Sequence, residues 1–303
     1  MAEHDPPFTS VIVPVFNGEK TIRECLFSLL KMDYPAELRE ILVVDNGSTD
    51  GTARIIKEHP VGYLCEGRRG PSYARNRGIE ASQGKILAFT DADCVASAGW
   101  LKELVREFRH ETIGGVAGEV VAYPPKTPVE RYFAQIRHLS AARYLYNPIF
   151  PFAMTGSVAF RREIFDRIGL FDPAFSTGEG ADFFRRFFKQ TAFKLQYTRK
   201  AIVFHRHRAT ARELFKQLWG YGKGHALLCI KYREEIQWSW RQSRLAYADL
   251  ARAAGALAKT GLRYCLNGGR KEDLFFCFFS FLHKLAYRVG FTKEAISRGY
   301  LYF

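Results

Sequence analysis

Ile86-Leu-Ala-Phe-Thr-Asp-Ala-Asp-Cys94 is a short apolar run that ends directly in two aspartates one residue apart. In extended backbone, residues i and i+2 face the same side. Asp91 and Asp93 therefore converge at the C-terminal end of a buried strand, which is where open α/β sheets place their ligands. Two carboxylates held together at neutral pH repel each other and attract a hard divalent cation, Mn2+ or Mg2+, bound through oxygen. An Asp-X-Asp triplet on its own is usually a solvated turn, so its weight comes from the rest of the chain.

Upstream, strand and helix patterns alternate. Ser10–Val15 is a β-branched run, and Phe16–Glu19 turns the chain. Thr21–Lys31 carries Ile22, Cys25, Leu26, Leu29 and Leu30 at helical spacing. Glu40–Asp45 reads as a second buried strand ended by the turn-rich Asn46-Gly-Ser-Thr-Asp-Gly51, and Thr52–His59 as a helix. A third strand falls near Val61–Leu64. The glycine-rich Gly67-Arg-Arg-Gly-Pro71 opens a helix through Ser82, and Lys85–Phe89 is the strand before the aspartates. This rhythm predicts an α/β domain with a mostly parallel sheet covered by helices on both faces.

After a helix over Trp100–Arg109 the rhythm breaks. Gly115–Ala122 reads as strand, Glu130–Tyr146 as one long aromatic helix, Phe152–Phe160 as extended and Arg162–Ile168 as helix. Ser176-Thr-Gly-Glu-Gly-Ala-Asp182 opens another helix. Beyond Phe204 the pattern is mostly helical, with Gly220-Tyr-Gly-Lys-Gly224 expected to interrupt it as a mobile element.

Charge and cysteine usage narrow the class. The net charge of +14 is concentrated late: residues 1–198 balance to +1, and residues 199–303 carry 20 Lys and Arg against 7 Asp and Glu. Such a basic third suits an anionic membrane face, an anionic substrate or a solvated surface. Nucleic acid is not expected, because no zinc-finger spacing, RNP-like motif or basic zipper is present. The six cysteines form no Cys-X-X-Cys pair, which predicts reduced thiols and a cytosolic setting. Met1–Pro7 is acidic and turn-prone, unlike a secretory signal. Leu274–Leu282 is intensely apolar but stops at His283-Lys284, short of the roughly 20 residues that span a bilayer. It either packs as a core helix or lies in a lipid interface.

Val11-Ile-Val-Pro-Val-Phe-Asn17, Val43-Val-Asp-Asn-Gly-Ser-Thr-Asp50 and Thr90-Asp-Ala-Asp93 stand in an order that resembles the family 2 glycosyltransferases, inverting enzymes with the GT-A fold. The resemblance continues through Gly70-Pro-Ser-Tyr-Ala-Arg-Asn-Arg-Gly78, Thr155-Gly-Ser-Val-Ala-Phe160 and Thr177-Gly-Glu-Gly-Ala-Asp182, covering roughly residues 8–225. It implies a catalytic domain over 1–225 and a basic helical extension over 226–303. The implied reaction moves one sugar from a nucleotide-sugar donor, most often a UDP-sugar, to a glycan or lipid-linked acceptor in cell-surface polysaccharide or glycolipid synthesis. The implied setting is the cytoplasm, with peripheral attachment to the inner face of the membrane. The Gln-X-X-Arg-Trp motif of processive synthases is absent, since Gln217-Leu-Trp-Gly220 lacks the arginine.

The resemblance also assigns residues. Asp45 accepts hydrogen bonds from the base, or else only begins an Asx-type turn. Pro14, Val15 and Asn17 contact base and ribose. Arg75, at a helix start, meets diphosphate charge or forms a surface ion pair. Asp91 lies near the ribose and Asp93 holds the metal, with His205 as a third ligand. The usual Gly-Glu-Asp-X-Asp segment departs here: the position of its common general base is Gly180. Glu179 and Asp182 flank the gap and either can reach the acceptor; Glu179, in the loop, is the favoured base, with Asp182 capping the following helix and steadying the site. A sugar nucleotidyltransferase is disfavoured because Val13–Asn17 is not a glycine-rich triphosphate loop. A noncatalytic sugar-nucleotide-binding or scaffold subunit remains the alternative, made plausible by Gly180.

Overall fold

The computed structural model describes residues 6–147 and 151–301, so Met1–Asp5 of the acidic N-terminal stretch lie outside the described residues. The elements in chain order begin with β1 (Thr9–Val15), α1 (Ile22–Leu30), β2 (Arg39–Asp45), α2 (Thr52–Lys57), β3 (Gly62–Cys65), α3 (Pro71–Ala81) and β4 (Ile86–Phe89). Next come β5 (Cys94–Ala96), α4 (Trp100–Arg106), β6 (Ile113–Ala122), α5 (Pro128–Gln135), α6 (Ala141–Leu145), β7 (Val158–Arg161), α7 (Arg162–Ile168), α8 (Glu179–Gln190) and β8 (Lys194–His205). The last part is helical: α9 (Ala211–Lys231), α10 (Arg233–Ile236), α11 (Trp240–Asn267) and α12 (Lys271–Ser297).

The chain forms two compact units, one of residues 1–123 with 139–206, the other of residues 124–138 with 207–303. Residue 225, the boundary that the family resemblance implies, lies inside α9.

The first unit is built on a mixed sheet in the order β3-β2-β1-β4-β7-β6-β8-β5. β3, β2, β1 and β4 run parallel, as the alternating pattern predicts. β7 then enters antiparallel between β4 and β6. Because β1, β2 and β4 are parallel, Val15, Asp45 and Phe89 all end at the same edge. The strands have side chains to bury on both faces: Val11, Val13 and Val43 enter one core with Leu26 and Trp100, while Ile12, Leu87 and Phe89 enter another. In that second core, α7 and α8 supply Phe165, Phe183, Phe184 and Phe187, and Phe160 meets Phe183 edge-on at 5.0 Å.

The expected single helix over Glu130–Tyr146 is two helices. α5 has a Thr127–Glu130 capping box and ends before Arg137, whose φ of 47° is left-handed; α6 restarts after Ser140. The apolar periodicity continues across the break, but Val129, Tyr132 and Phe133 pack in the second unit whereas Ala141 belongs to the first. The helix breaks where the chain passes from one unit to the other.

Gly220–Gly224 is no interruption either. It lies within the continuous α9, with Gly222 and Gly224 buried. A Cβ on Gly222 would overlap the carbonyl oxygen of Tyr287 on α12, and one on Gly290 would overlap that of Trp219 on α9. The glycines therefore let two helix backbones touch, which outweighs their poor helix propensity. α12 also runs past His283-Lys284 rather than stopping there. His283 Nδ1 lies 3.0 Å from the Tyr132 hydroxyl and Lys284 pairs with Asp249 at 2.7 Å, so both polar side chains find partners in the unit. By length and composition, the complete α12 is apolar enough to cross a bilayer, unlike the shorter run legible in the sequence.

Beside this contact, the rings of Trp238, Tyr287 and Phe291 surround His225. Burial, helped by the nearby Arg288 charge, lowers the His225 pKa to about 4.

Two outcomes follow for the second unit. Gly222→Val forces α9 and α12 apart and costs about 3 kcal/mol or more by overpacking, read as a lower urea midpoint with helical circular dichroism retained. For His225, the unfolded chain takes up a proton near 6.5 and the folded chain only near 4. Its contribution is complete above 6.5 and declines as pH falls towards 4, by at most about 3 kcal/mol. Thermal melts over that range should show His225→Phe losing less stability on acidification than the wild type.

Candidate active site

The site forms at the edge where β1, β2 and β4 end. Asp91 and Asp93 follow β4, and their side chains remain partly accessible, at 33% and 18%. Cys94 N–H donates to the Asp91 carbonyl at 3.0 Å, folding the segment into a turn that enters β5. β5 pairs antiparallel with β8, with Cys94 opposite His205. That register brings His205 Nε2 to 3.4 Å from Asp93 Oδ1, although the two residues are remote in sequence. Arg206 N–H donates to the Asp93 carbonyl at 2.9 Å and closes the same corner.

A carboxylate oxygen from each of Asp91 and Asp93 and the Cys94 sulfur lie within 4.8 Å of one another. This donor set, with His205 alongside, fits a divalent cation bound through oxygen and imidazole. Cys94 is the part that spacing alone did not reveal. Burial, then the charges of Asp93 and Asp91, raise its pKa well above the ordinary value. The same causes raise Cys25, whose Sγ approaches the Asp91 carbonyl at 3.6 Å. All six cysteines are free.

Arg75 organises the other side of Asp91. It is buried within α3, not exposed at a helix start, and its terminal nitrogens are committed to protein partners. Nη2 donates to Asp91 Oδ1 and Thr155 Oγ1, each at 2.9 Å, and Nη1 donates to Glu179 Oε1 at 2.6 Å. Thr155 and Gly156, in the turn before β7, complete the wall. A Cβ on Gly156 would sit 3.1 Å from Asp91 Oδ2, so the missing side chain leaves room for that carboxylate.

The acidic segment differs from expectation in two respects. Glu179 is not in a loop: it is the first residue of α8, after Gly178 in the left-handed region (φ 89°), and it is buried against Arg75. Asp182 does not cap the helix. It lies in the first turn, fully buried, and receives Arg186 Nε at 3.0 Å. Arg186 also donates to the Ile168 and Leu170 carbonyls, tying α8 to the end of α7. Between them, Gly180 is buried, and a Cβ there would lie 3.1 Å from Thr155 Cγ2.

At the β1–β2 end, Asp45 is buried. Its Oδ1 accepts from Ser48 N–H at 2.9 Å, an Asx-type turn, and its Oδ2 accepts from the Tyr63 hydroxyl at 3.2 Å. Each oxygen keeps a further lone pair. Val15 is buried at the end of β1 and its carbonyl accepts Asn46 N–H at 2.8 Å. Pro14, one residue earlier, is half-buried. Asn17, exposed with φ 50°, accepts Thr49 N–H at 2.8 Å and so links the loops after β1 and β2. Phe16, also exposed, faces the Arg69 guanidinium at 4.2 Å from its ring centre. The structure thus gathers Asp91, Asp93, His205, Arg75 and Glu179 at one corner, and Pro14, Val15, Asn17 and Asp45 along the neighbouring strand ends.

The profile of glycosyl transferase family 2 matches residues 10–169, more than half of the chain. The chain belongs to this family. It is 33% identical over 230 residues to glycosyltransferase AglE of Haloferax volcanii, covering 72% of this chain and 73% of that protein. It is 27% identical to the Methanococcus voltae dolichyl N-acetyl-alpha-D-glucosaminyl phosphate 3-beta-D-2,3-diacetamido-2,3-dideoxy-beta-D-glucuronosyltransferase, over 76% of this chain and 77% of that one. In fold it is similar to mannosyltransferase PcManGT from Pyrobaculum calidifontis, solved with GDP-Man and Mn2+ (TM-score 0.65, 20% identity, 96% of this chain and 88% of that chain). The fold class is therefore GT-A, with a helical C-terminal region.

Arg75→Gln leaves Glu179 buried and Asp91 half-buried without their shared counter-charge. A loss of about 3–5 kcal/mol is expected, measured by urea denaturation. Arg75→Lys should recover only part of it, because one ammonium cannot match the fork that spans two carboxylates.

Proposed function

We propose that the protein is an inverting, metal-dependent glycosyltransferase that moves a single sugar from a nucleotide-sugar donor to a glycan or lipid-linked acceptor. The observation that carries this reading is the meeting of Asp91, Asp93 and His205 at the C-terminal edge of the sheet, beside the Asp45 strand end. Asp45 offers its remaining lone pairs to the N–H of a base, with Pro14, Val15 and Asn17 shaping the base and ribose side. A UDP-sugar is the favoured donor.

Asp93, Asp91 and His205 would hold Mn2+ or Mg2+. When bound, such an ion offsets the negative charge that develops on a departing nucleoside diphosphate, so that no protonated acid is needed there. Arg75 acts as a positioning residue: it fixes Asp91 towards the metal corner and holds Glu179 at the head of α8. Glu179 would accept the proton of the acceptor hydroxyl. Asp182, fully buried and locked to Arg186, steadies α8.

Acceptors in cell-surface polysaccharide or glycolipid synthesis suit this chemistry. So does a cytoplasmic enzyme attached peripherally to the inner face of the membrane, given its basic second unit. The glycine at position 180 and the Arg75 grip on Glu179 favour one second reading, a noncatalytic subunit that binds sugar nucleotides without turning them over.

Calorimetric titration of UDP, GDP and dTDP, each with and without Mn2+, tests the proposal. One nucleotide should bind with metal-dependent tightening that Asp93→Ala abolishes, and Glu179→Gln should retain that binding while losing acceptor-dependent transfer. Binding without turnover of the matching sugar donors supports the noncatalytic reading; no metal-dependent nucleotide binding overturns both.

A further inference from the structure

We propose that the outward face of α11 is a docking surface for an anionic lipid bilayer. This inference rests on the peripheral attachment proposed above but not on the transfer chemistry.

One side of α11 is occupied by its own unit. Ser243 and Ala253 are buried, Asp249 accepts from Lys284 of α12 at 2.7 Å, and the Tyr247 hydroxyl lies 3.2 Å from Thr292 Oγ1 of α12. The opposite side carries Arg241, Arg244, Arg252, Lys259 and Arg263, all exposed. Steps of three, four, seven or eight residues keep these cations on one stripe. Exposed leucines lie among them: Leu245 at 58%, Leu262 at 62% and Leu266 at 71%. The space between is lined with small exposed residues, Ala248, Ala251, Gly255 and Ala256.

The acid count sets this helix apart from a solvated one. Exposed helices normally interleave acids with bases, which form stabilising pairs at i,i+4. α11 has one acid in 28 residues, Asp249, and that carboxylate is held by Lys284 and Arg252. Asp249 balances Arg252 alone among the outward cations, and the helix has no other carboxylate for Arg241, Arg244, Lys259 and Arg263.

A stripe of cations selects an anionic partner. The leucines then select a bilayer over nucleic acid, because a phosphate backbone offers exposed alkyl groups nothing, whereas a bilayer buries them below headgroups that meet the guanidinium and ammonium groups. The long arginine and lysine stems allow both contacts from one helix face. Trp240, 64% exposed at the first turn, suits the headgroup boundary.

The test is co-sedimentation of the full chain with phosphatidylcholine vesicles, with and without phosphatidylglycerol. Binding is expected only to the phosphatidylglycerol vesicles, and it should weaken as salt rises. Each surface cation contributes roughly fivefold, so Arg241→Gln, Arg244→Gln and Lys259→Gln together should lower partitioning about a hundredfold. Leu262→Ser with Leu266→Ser should weaken what binding persists at high salt. Metal-dependent nucleotide binding by the triple variant, equal to that of the wild type, shows that the fold is intact. If the wild type binds vesicles as expected but no nucleotide, the transferase reading fails and the α11 surface stands. Equal vesicle binding by the triple variant, equal binding to uncharged vesicles, or binding to an oligonucleotide but not to phosphatidylglycerol overturns the proposal.

Discussion

The site depends on one buried guanidinium. Arg75 bonds at once to Asp91 after β4, Thr155 before β7 and Glu179 at the start of α8, joining three segments that are distant in sequence. Without a central cation, the Asp91 and Glu179 carboxylates would face each other across a low-dielectric corner, where like charges repel far more strongly than in water. Arginine suits this position because its planar fork presents several N–H donors in fixed directions, whereas lysine offers a single point charge. The arrangement also orients Asp91, since one oxygen is taken by Arg75 and the other faces the gap left by Gly156.

Around that centre, packing and chemistry are divided between the two ends of the same elements. β4 is buried along its whole length and turns polar only where it leaves the sheet. α8 shows the same division: Phe183, Phe184 and Phe187 anchor it in the aromatic core, which holds Glu179 in place at its first residue. A carboxylate on a helix anchored by three buried rings is already ordered, which would serve the proton-accepting role proposed for Glu179. The Asp182–Arg186 pair strengthens that anchor through the carbonyls at the end of α7.

The second unit obeys a different constraint. Its helices are held by the contact of two backbones at Gly222 and Gly290, and by polar side chains of α12 that find partners within the unit. A helix as apolar as α12 is thereby partly covered from inside. The cations of α11, in contrast, face outward, and the helix's one acid, Asp249, pairs with Arg252 alone among them.

The sequence alone determined the alternating strands and helices of the first hundred residues, because period-two and period-3.6 apolar patterns report burial directly. It also determined the placement of Asp45, Asp91 and Asp93 at strand ends, since a carboxylate that follows a buried run must lie at the edge of the sheet. It misread Glu130–Tyr146 as one helix, Gly220–Gly224 as a break and His283-Lys284 as a stop. In each case the local pattern was genuine, but the deciding partner was remote: the division of Phe133 and Ala141 between two cores, the backbone of α12 against α9, and Tyr132 and Asp249 as polar partners. The resemblance already implied His205 as a companion of Asp93; the tertiary structure supplied the means, the pairing of β5 with β8, and alone decided that Cys94 lines the same corner. It also turned Arg75 from an expected diphosphate contact or surface ion pair into the buried bridge between Asp91 and Glu179. Such contacts depend on strand register and helix packing between segments up to about a hundred residues apart, and no local periodicity encodes them.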